Sequence, residues 1–188
     1  LAQPSLSNPA LLPGDAAISS AAGLQESPQV ASGDSSFLAV WTDDRASIRE
    51  FVRSGTYFGE GLGTLVDIYG ARLDPNGNLL DVLPIVISQA QYNQTSPRVG
   101  WNGQNWLVVW MTEREGDRYY HDVVGVRVSP DGAILDPAPI VINAAETANA
   151  LCNPWSVSSD GTNWVVVWRD LDPVAGIYTI DGARIAPS

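Results

Sequence analysis

Residues 96–143 contain four short runs of β-forming residues separated by turn signals, and the rest of the chain is written as versions of them. The runs are 97–101, closed by Asn102-Gly103; 106–110, ending in Trp110; 123–128, closed by Pro130-Asp131-Gly132; and 134–142. Val, Ile, Leu and Trp bounded by Asn-Gly or Asp-Gly read as strands joined by tight turns, because such turns need positive φ. Residues 27–45 and 67–88 repeat all four runs, and residues 153–170 and 179–188 repeat three. Gly70, Gly125 and Gly182 recur at intervals of 55 and 57. A single four-stranded sheet cannot bury both faces, so three copies must stack on one another as a radial array or solenoid.

The spacing predicts an all-β, β-propeller-like fold of three four-stranded repeats at about 27–88, 96–143 and 153–188. Residues 15–20 read as an orphan fourth strand that would complete the last repeat, so that 15–188 forms a single repeat domain and 1–14 an extended arm. A sheet built from both chain ends is how propellers close and remove exposed edges. Three blades are fewer than the usual minimum of about four. The excess edge can be met by a homodimer forming a six-bladed ring, by membership of a longer array, or by closure as a pseudo-threefold β-prism or β-trefoil.

The formal charge of −11 and a pI near 4.2 speak against nucleic acid or an anionic membrane as partner. No apolar run approaches the ~20 residues needed to insert into a bilayer. Cys152 stands alone, so no internal disulfide can form. Leu1-Ala2-Gln3 would suit the end of a cleaved signal peptide.

Residues 41–45 (WTDDR), followed by 67–73 (DIYGARL) and preceded by a strand beginning at Pro28, resemble the TolB-type β-propeller repeat of extracytoplasmic bacterial proteins. The likeness runs from residue 16 onward and is best in the first repeat. It implies the propeller fold and a periplasmic, cell-surface or secreted location, but no particular activity.

Trp41, Trp110 and Trp168, with Phe37, Trp106 and Trp164 four residues earlier, have the even spacing of one strand face and read as core between sheets. Arg72, Arg127 and Arg184 recur in the same threefold register. Three arginines could clamp an anion as in sialidases, but repetition favours structural pairing with Asp44, Glu113 and Asp170 or with nearby carbonyls. Residues 158–164 (SSDGTNW) resemble a defective Asp-box turn, and residues 74–81 (DPNGNLLD) read as a hairpin turn rather than a calcium loop. The lone His121 reads as a surface residue at a strand start, without a nucleophile setting around it. Neither a metal cluster nor a cofactor motif is present, and no catalytic residue can be assigned.

The repeat is broken between its second and third strands, by residues 46–66, 112–121 and 170–176. Loops on a rigid scaffold are the usual place for recognition. These segments collect Arg49, Phe51, Arg53, Tyr57 and Phe58 with Arg114, Arg118, Tyr119 and Tyr120. Arg and Tyr are among the residues that contribute most binding energy per contact. The sequence therefore points first to a non-catalytic, non-enzymatic module that docks a protein partner. A lectin-like carbohydrate-binding protein is the alternative, and a glycoside-processing enzyme the third reading, since paired carboxylates cannot be located in the primary structure.

Overall fold

The computed structural model describes residues 24–45, 66–90, 92–114, 117–144, 153–172 and 175–187. Every named element is a strand, and the strands form three separate antiparallel sheets. The first contains β1 (Gln25–Ser32), β2 (Phe37–Asp43), β3 (Asp67–Leu73) and β4 (Ile85–Ser88) in that order. The second contains β5 (Gln94–Trp101), β6 (Trp106–Arg114), β7 (Asp117–Val128) and β8 (Ile140–Asn143). The third contains β9 (Asn153–Ser159), β10 (Trp164–Asp172) and β11 (Ile177–Ile185), with β10 central. The predicted closing strand at 15–20 and the arm at 1–14 lie outside the described residues. No helix among the described residues is long and apolar enough to cross a membrane.

The turns arise from local chemistry. Gly77, Gly103, Gly132 and Gly161 have φ of 83, 93, 88 and 91°, a region that side chains with a Cβ rarely enter. Asp74 Oδ1 accepts from the backbone N–H groups of Asn76 and Asn78, both at 2.8 Å, so residues 74–78 form the hairpin turn expected of them. Asp160 Oδ1 does the same for Thr162 and Asn163, at 2.9 and 2.7 Å. Two expectations are corrected here. The third run of the second repeat begins at Asp117 rather than 123, so residues 118–120 are strand backbone and not loop. The fourth strands are short, and Ile134 joins the second sheet only through an isolated bridge to Val128.

Period-two alternation sorts each central strand into two faces. Leu38 and Val40, on the back of the first sheet, pack with Trp106, Val108 and Trp110 on the front of the second. Leu107 and Val109, on the back of the second, pack with Trp164, Val166 and Trp168 on the front of the third. Five of the six repeated aromatics are buried as predicted; Phe37, on the front of the first sheet, is 38% exposed. The second sheet is tied to the third by hydrogen bonds that include the Trp164 indole to Gly100 O at 3.0 Å and the Asn102 amide to Thr162 O at 2.7 Å.

The first strands of the sheets lie side by side, β1 against β5 and β5 against β9, and no contact of that extent joins β9 to β1. The described sheets thus stand as successive blades in an arc about a common inner row, a β-propeller-like arrangement rather than a threefold prism or trefoil.

Two of the repeated arginines latch this arc, with carbonyl acceptors as expected but with carboxylate partners other than those read from the sequence. Arg72 pairs with Asp81, not Asp44, and Arg127 with Asp136, not Glu113, at 2.6 and 2.7 Å. Each then reaches into the next blade, Arg72 Nη1 to Pro130 O at 2.9 Å and Arg127 Nη1 to Pro187 O at 2.7 Å. Arg184 Nη1 donates to Asn163 Oδ1 at 2.8 Å, not to Asp170. The arginines sit in different blades, each held by its own acceptors, and form no shared anion clamp.

Candidate active site

The strand ends of the first blade carry the densest group of buried polar side chains. β2 and β3 pair with Trp41 opposite Tyr69 and Asp43 opposite Asp67, and β1 places Gln25 opposite Asp43. Two carboxylates therefore face one another across the β2–β3 ladder, on the front of the sheet beside Trp41 and Tyr69. Their exposures are 0% for Asp43 and 2% for Asp67.

Their surroundings differ. Asp43 receives the Arg45 guanidinium and backbone N–H, the latter at 2.9 Å, together with the Trp41 indole at 3.1 Å and the Gln25 amide at 2.8 Å. Burial works to raise its pKa, but these donors outweigh it and hold the carboxyl below the usual range. Burial of Asp67, reinforced by the nearby Asp43 charge, pushes its pKa up to about 7. One carboxylate is thus kept ionised while its neighbour titrates near neutrality. Opposed environments of this kind mark out acid and base roles in active sites.

The surrounding groups are ordered. The Arg45 guanidinium lies 4.3 Å from the centre of the Tyr69 ring, and the Tyr69 hydroxyl accepts from Gln89 Nε2 at 2.5 Å. Burial raises the Tyr69 pKa. The Gln94 N–H, at the start of the second blade, donates to Val66 O at 2.8 Å, immediately before Asp67. Gln94 Oε1 is buried without a partner among the described residues.

The other blades do not reproduce the pair. Opposite positions are Thr112 and Asp122 in the second, and Asp170 and Thr179 in the third. Asp122 is engaged by Arg114, with Nη2 to Oδ1 at 2.7 Å. The doubled carboxylate is therefore a departure from the repeat. Sequence reasoning missed it because residues 44–66 intervene, although Asp43 lies two positions after the repeated Trp and Asp67 three before the repeated Gly.

Of the expected recognition residues, Arg49, Phe51, Arg53, Tyr57 and Phe58 lie outside the described residues. Arg118, Tyr119 and Tyr120 have described backbone in β7 only, and Arg114 is the ion-pair partner of Asp122. His121 is not a surface residue: it is 7% exposed within β7, with Nε2 4.0 Å from Glu113 Oε1. Asn93 Nδ2 donates to both Glu113 oxygens, at 3.0 and 3.1 Å. Among the described residues, no group of three or more His, Cys, Asp or Glu is placed to hold a metal ion.

No family model and no curated protein matches the chain. Solved structures do. An endo-arabinase from Bacteroides thetaiotaomicron superposes with a TM-score of 0.55 at 14% identity, over 89% of this chain and 59% of that one. An alpha-L-arabinofuranosidase from Lactobacillus brevis gives 0.48 at 12% identity, over 85% of this chain and 52% of that one. The chain therefore spans little more than half the length of either. The first of these likenesses corrects the sequence-based resemblance: the fold superposes on that of an endo-arabinase and not on a TolB-type repeat protein. The expectation of a non-enzymatic protein-docking module is corrected with it, because the solved structure that shares this fold is an enzyme and the fold brings together a carboxylate pair that the primary structure concealed.

Proposed function

We propose that this chain belongs to an extracytoplasmic propeller protein that processes glycans, with arabinan-type chains of pentose units as the substrate class. The observation that carries this reading is the opposition of Asp43 and Asp67, one held ionised and the other pushed up to about 7. Its support from outside the chain is a fold shared with an endo-arabinase. Glycoside hydrolysis in most enzymes needs two carboxyl groups in different protonation states. In this reading protonated Asp67 gives its proton to the departing glycosidic oxygen. Asp43 takes a proton from the attacking water, so that one water is consumed per bond broken. Arg45 and the Trp41 indole keep Asp43 charged, and Tyr69 and Gln89 brace the same face.

The test is incubation of the chain with linear arabinan and measurement of new reducing ends, alongside Asp67→Asn and Asp43→Asn. Release by the parent chain that falls at least a hundredfold in either folded variant supports the proposal. Lectin-like carbohydrate binding without turnover is a second reading, favoured by the burial of both carboxylates. Binding of arabino-oligosaccharides with no release selects it, and absence of both binding and release overturns both.

A further inference from the structure

The inner row of first strands carries a second chemical feature, away from the carboxylates. Each strand is interrupted at the same level. The β1–β2 register shifts between Glu26 and Gln29, and that of β5–β6 between Thr95 and Arg98. In the third blade it passes from Val167–Ser156 to Trp168–Pro154, leaving Trp155 as the extra residue. A bulge turns its side chain out of the regular alternation, and bulges of this kind sit beside functional sites more often than elsewhere in sheets.

Trp155 is 56% exposed, while Trp41, Trp106, Trp110, Trp164 and Trp168 are all buried at 6% or less. Trp101 is partly buried against the core. Trp155 is the one tryptophan that is mostly exposed, on β9, which packs beside β5. Arg98 on β5 reaches the backbone of that residue: Nε donates to the Trp155 carbonyl oxygen at 3.0 Å and Nη1 to Pro97 O at 2.8 Å. These carbonyls fix the guanidinium plane. Burial lowers the Arg98 pKa, no ion pair is formed with a described carboxylate, and Nη2 has no hydrogen-bond partner among the described residues.

We propose that Trp155 and Arg98 form a sugar-binding subsite for one residue of a neutral glycan. The indole offers a flat apolar face for the C–H face of a sugar ring, and Tyr and Trp suit such places because one side is apolar and the edge polar. The fixed guanidinium offers paired N–H donors to adjacent hydroxyls, at little cost in side-chain freedom because the protein already holds it. The formal charge of −11 selects against polyanionic chains such as polygalacturonate. This subsite rests on the glycan-processing reading and adds to it where along the inner row the chain lies.

Titration of the full chain with linear arabino-oligosaccharides, followed by tryptophan fluorescence and calorimetry, tests the subsite. Trp155→Ala weakens binding tenfold or more, Arg98→Gln about tenfold, and Trp155→Phe restores most of the affinity. Asp67→Asn leaves affinity intact while release is lost. The exposed position of Trp155 lets its variants fold, and Arg98→Gln is an independent arm. Unchanged affinity in both Trp155→Ala and Arg98→Gln overturns the subsite, even if the parent chain still cleaves arabinan. Tighter binding of polygalacturonate than of neutral oligosaccharide, or capture of a protein partner through Trp155 with no sugar binding, overturns it too. Binding lost with Trp155 in a chain that never releases sugar keeps the subsite and removes the hydrolase reading.

Discussion

The second and third blades are built on nearly the same central strand, WLVVW and WVVVW, yet the two strands live in different surroundings. On the second blade Leu107 and Val109 are fully buried, because Trp164 and Val166 of the next blade cover them. On the third blade the corresponding Val165 is 45% exposed, and Ile180, opposite Arg169 further along the ladder, is 64% exposed. The arginines differ in the same way. Arg127 is bound by Asp136 and by Pro187 O of the third blade, whereas exposed Arg184 makes a bond to Asn163 within its own blade. In the second and third blades the front-face tryptophans are covered by the preceding blade. A blade's back face is buried only by the next blade along the chain.

Four measurements sharpen or break this contrast. Trp110→Ala, at the seam between first and second blades, removes a side chain 1% exposed and lowers unfolding free energy by about 3–5 kcal/mol in denaturant melts. Arg127→Ala strips charged hydrogen bonds from Asp136 and costs about 1.5–3 kcal/mol, while Arg184→Ala stays within about 0.5 kcal/mol. Equal losses at the two arginines would mean that the third blade is latched as tightly as the second. Gly125→Ala brings a Cβ to 2.7 Å from Val108 O and 2.9 Å from a Val109 methyl, and is expected to cost about 1–3 kcal/mol. Gly182→Ala finds its nearest atoms at 3.3 Å and costs less in the same assay.

The last effect is one of pH, and its sign separates Asp67 of the first blade from Asp136 of the second. Asp67, raised from 3.8 to about 7, stabilises the fold below the lower value, and that contribution is lost as pH rises toward and through 7. Asp136 is held low: burial opposes this, but Arg127 outweighs it, so its contribution is present above the ordinary value and lost as pH falls through the folded one. Asp67→Asn should flatten melting temperature between pH 4 and 7, and Arg127→Ala should flatten it at the acid end. A steep fall between pH 4 and 7 that survives Asp67→Asn would remove Asp67 as its source.

The strands and turns were legible in the primary structure because their causes are local. Alternating Val, Leu and Trp define two faces, and Asn-Gly or Asp-Gly supplies positive φ at each hairpin. The buried tryptophans could be read from the same period. The arginine partners could not, since Asp81 and Asp136 come from the turn toward the fourth strand rather than from the segment after the second. Nor could His121, whose strand extends six residues further back than the apolar run suggested.

The order of residues by itself determined that the chain would make short sheets, copied along its length and stacked through aromatic faces. Only the tertiary structure decided that Asp43 meets Asp67, that Trp155 turns outward beside Arg98, and which back face is covered. The reason is that register across a long insertion, and the dielectric around a carboxyl, depend on atoms distant in the chain; alternation and turn chemistry depend on immediate neighbours.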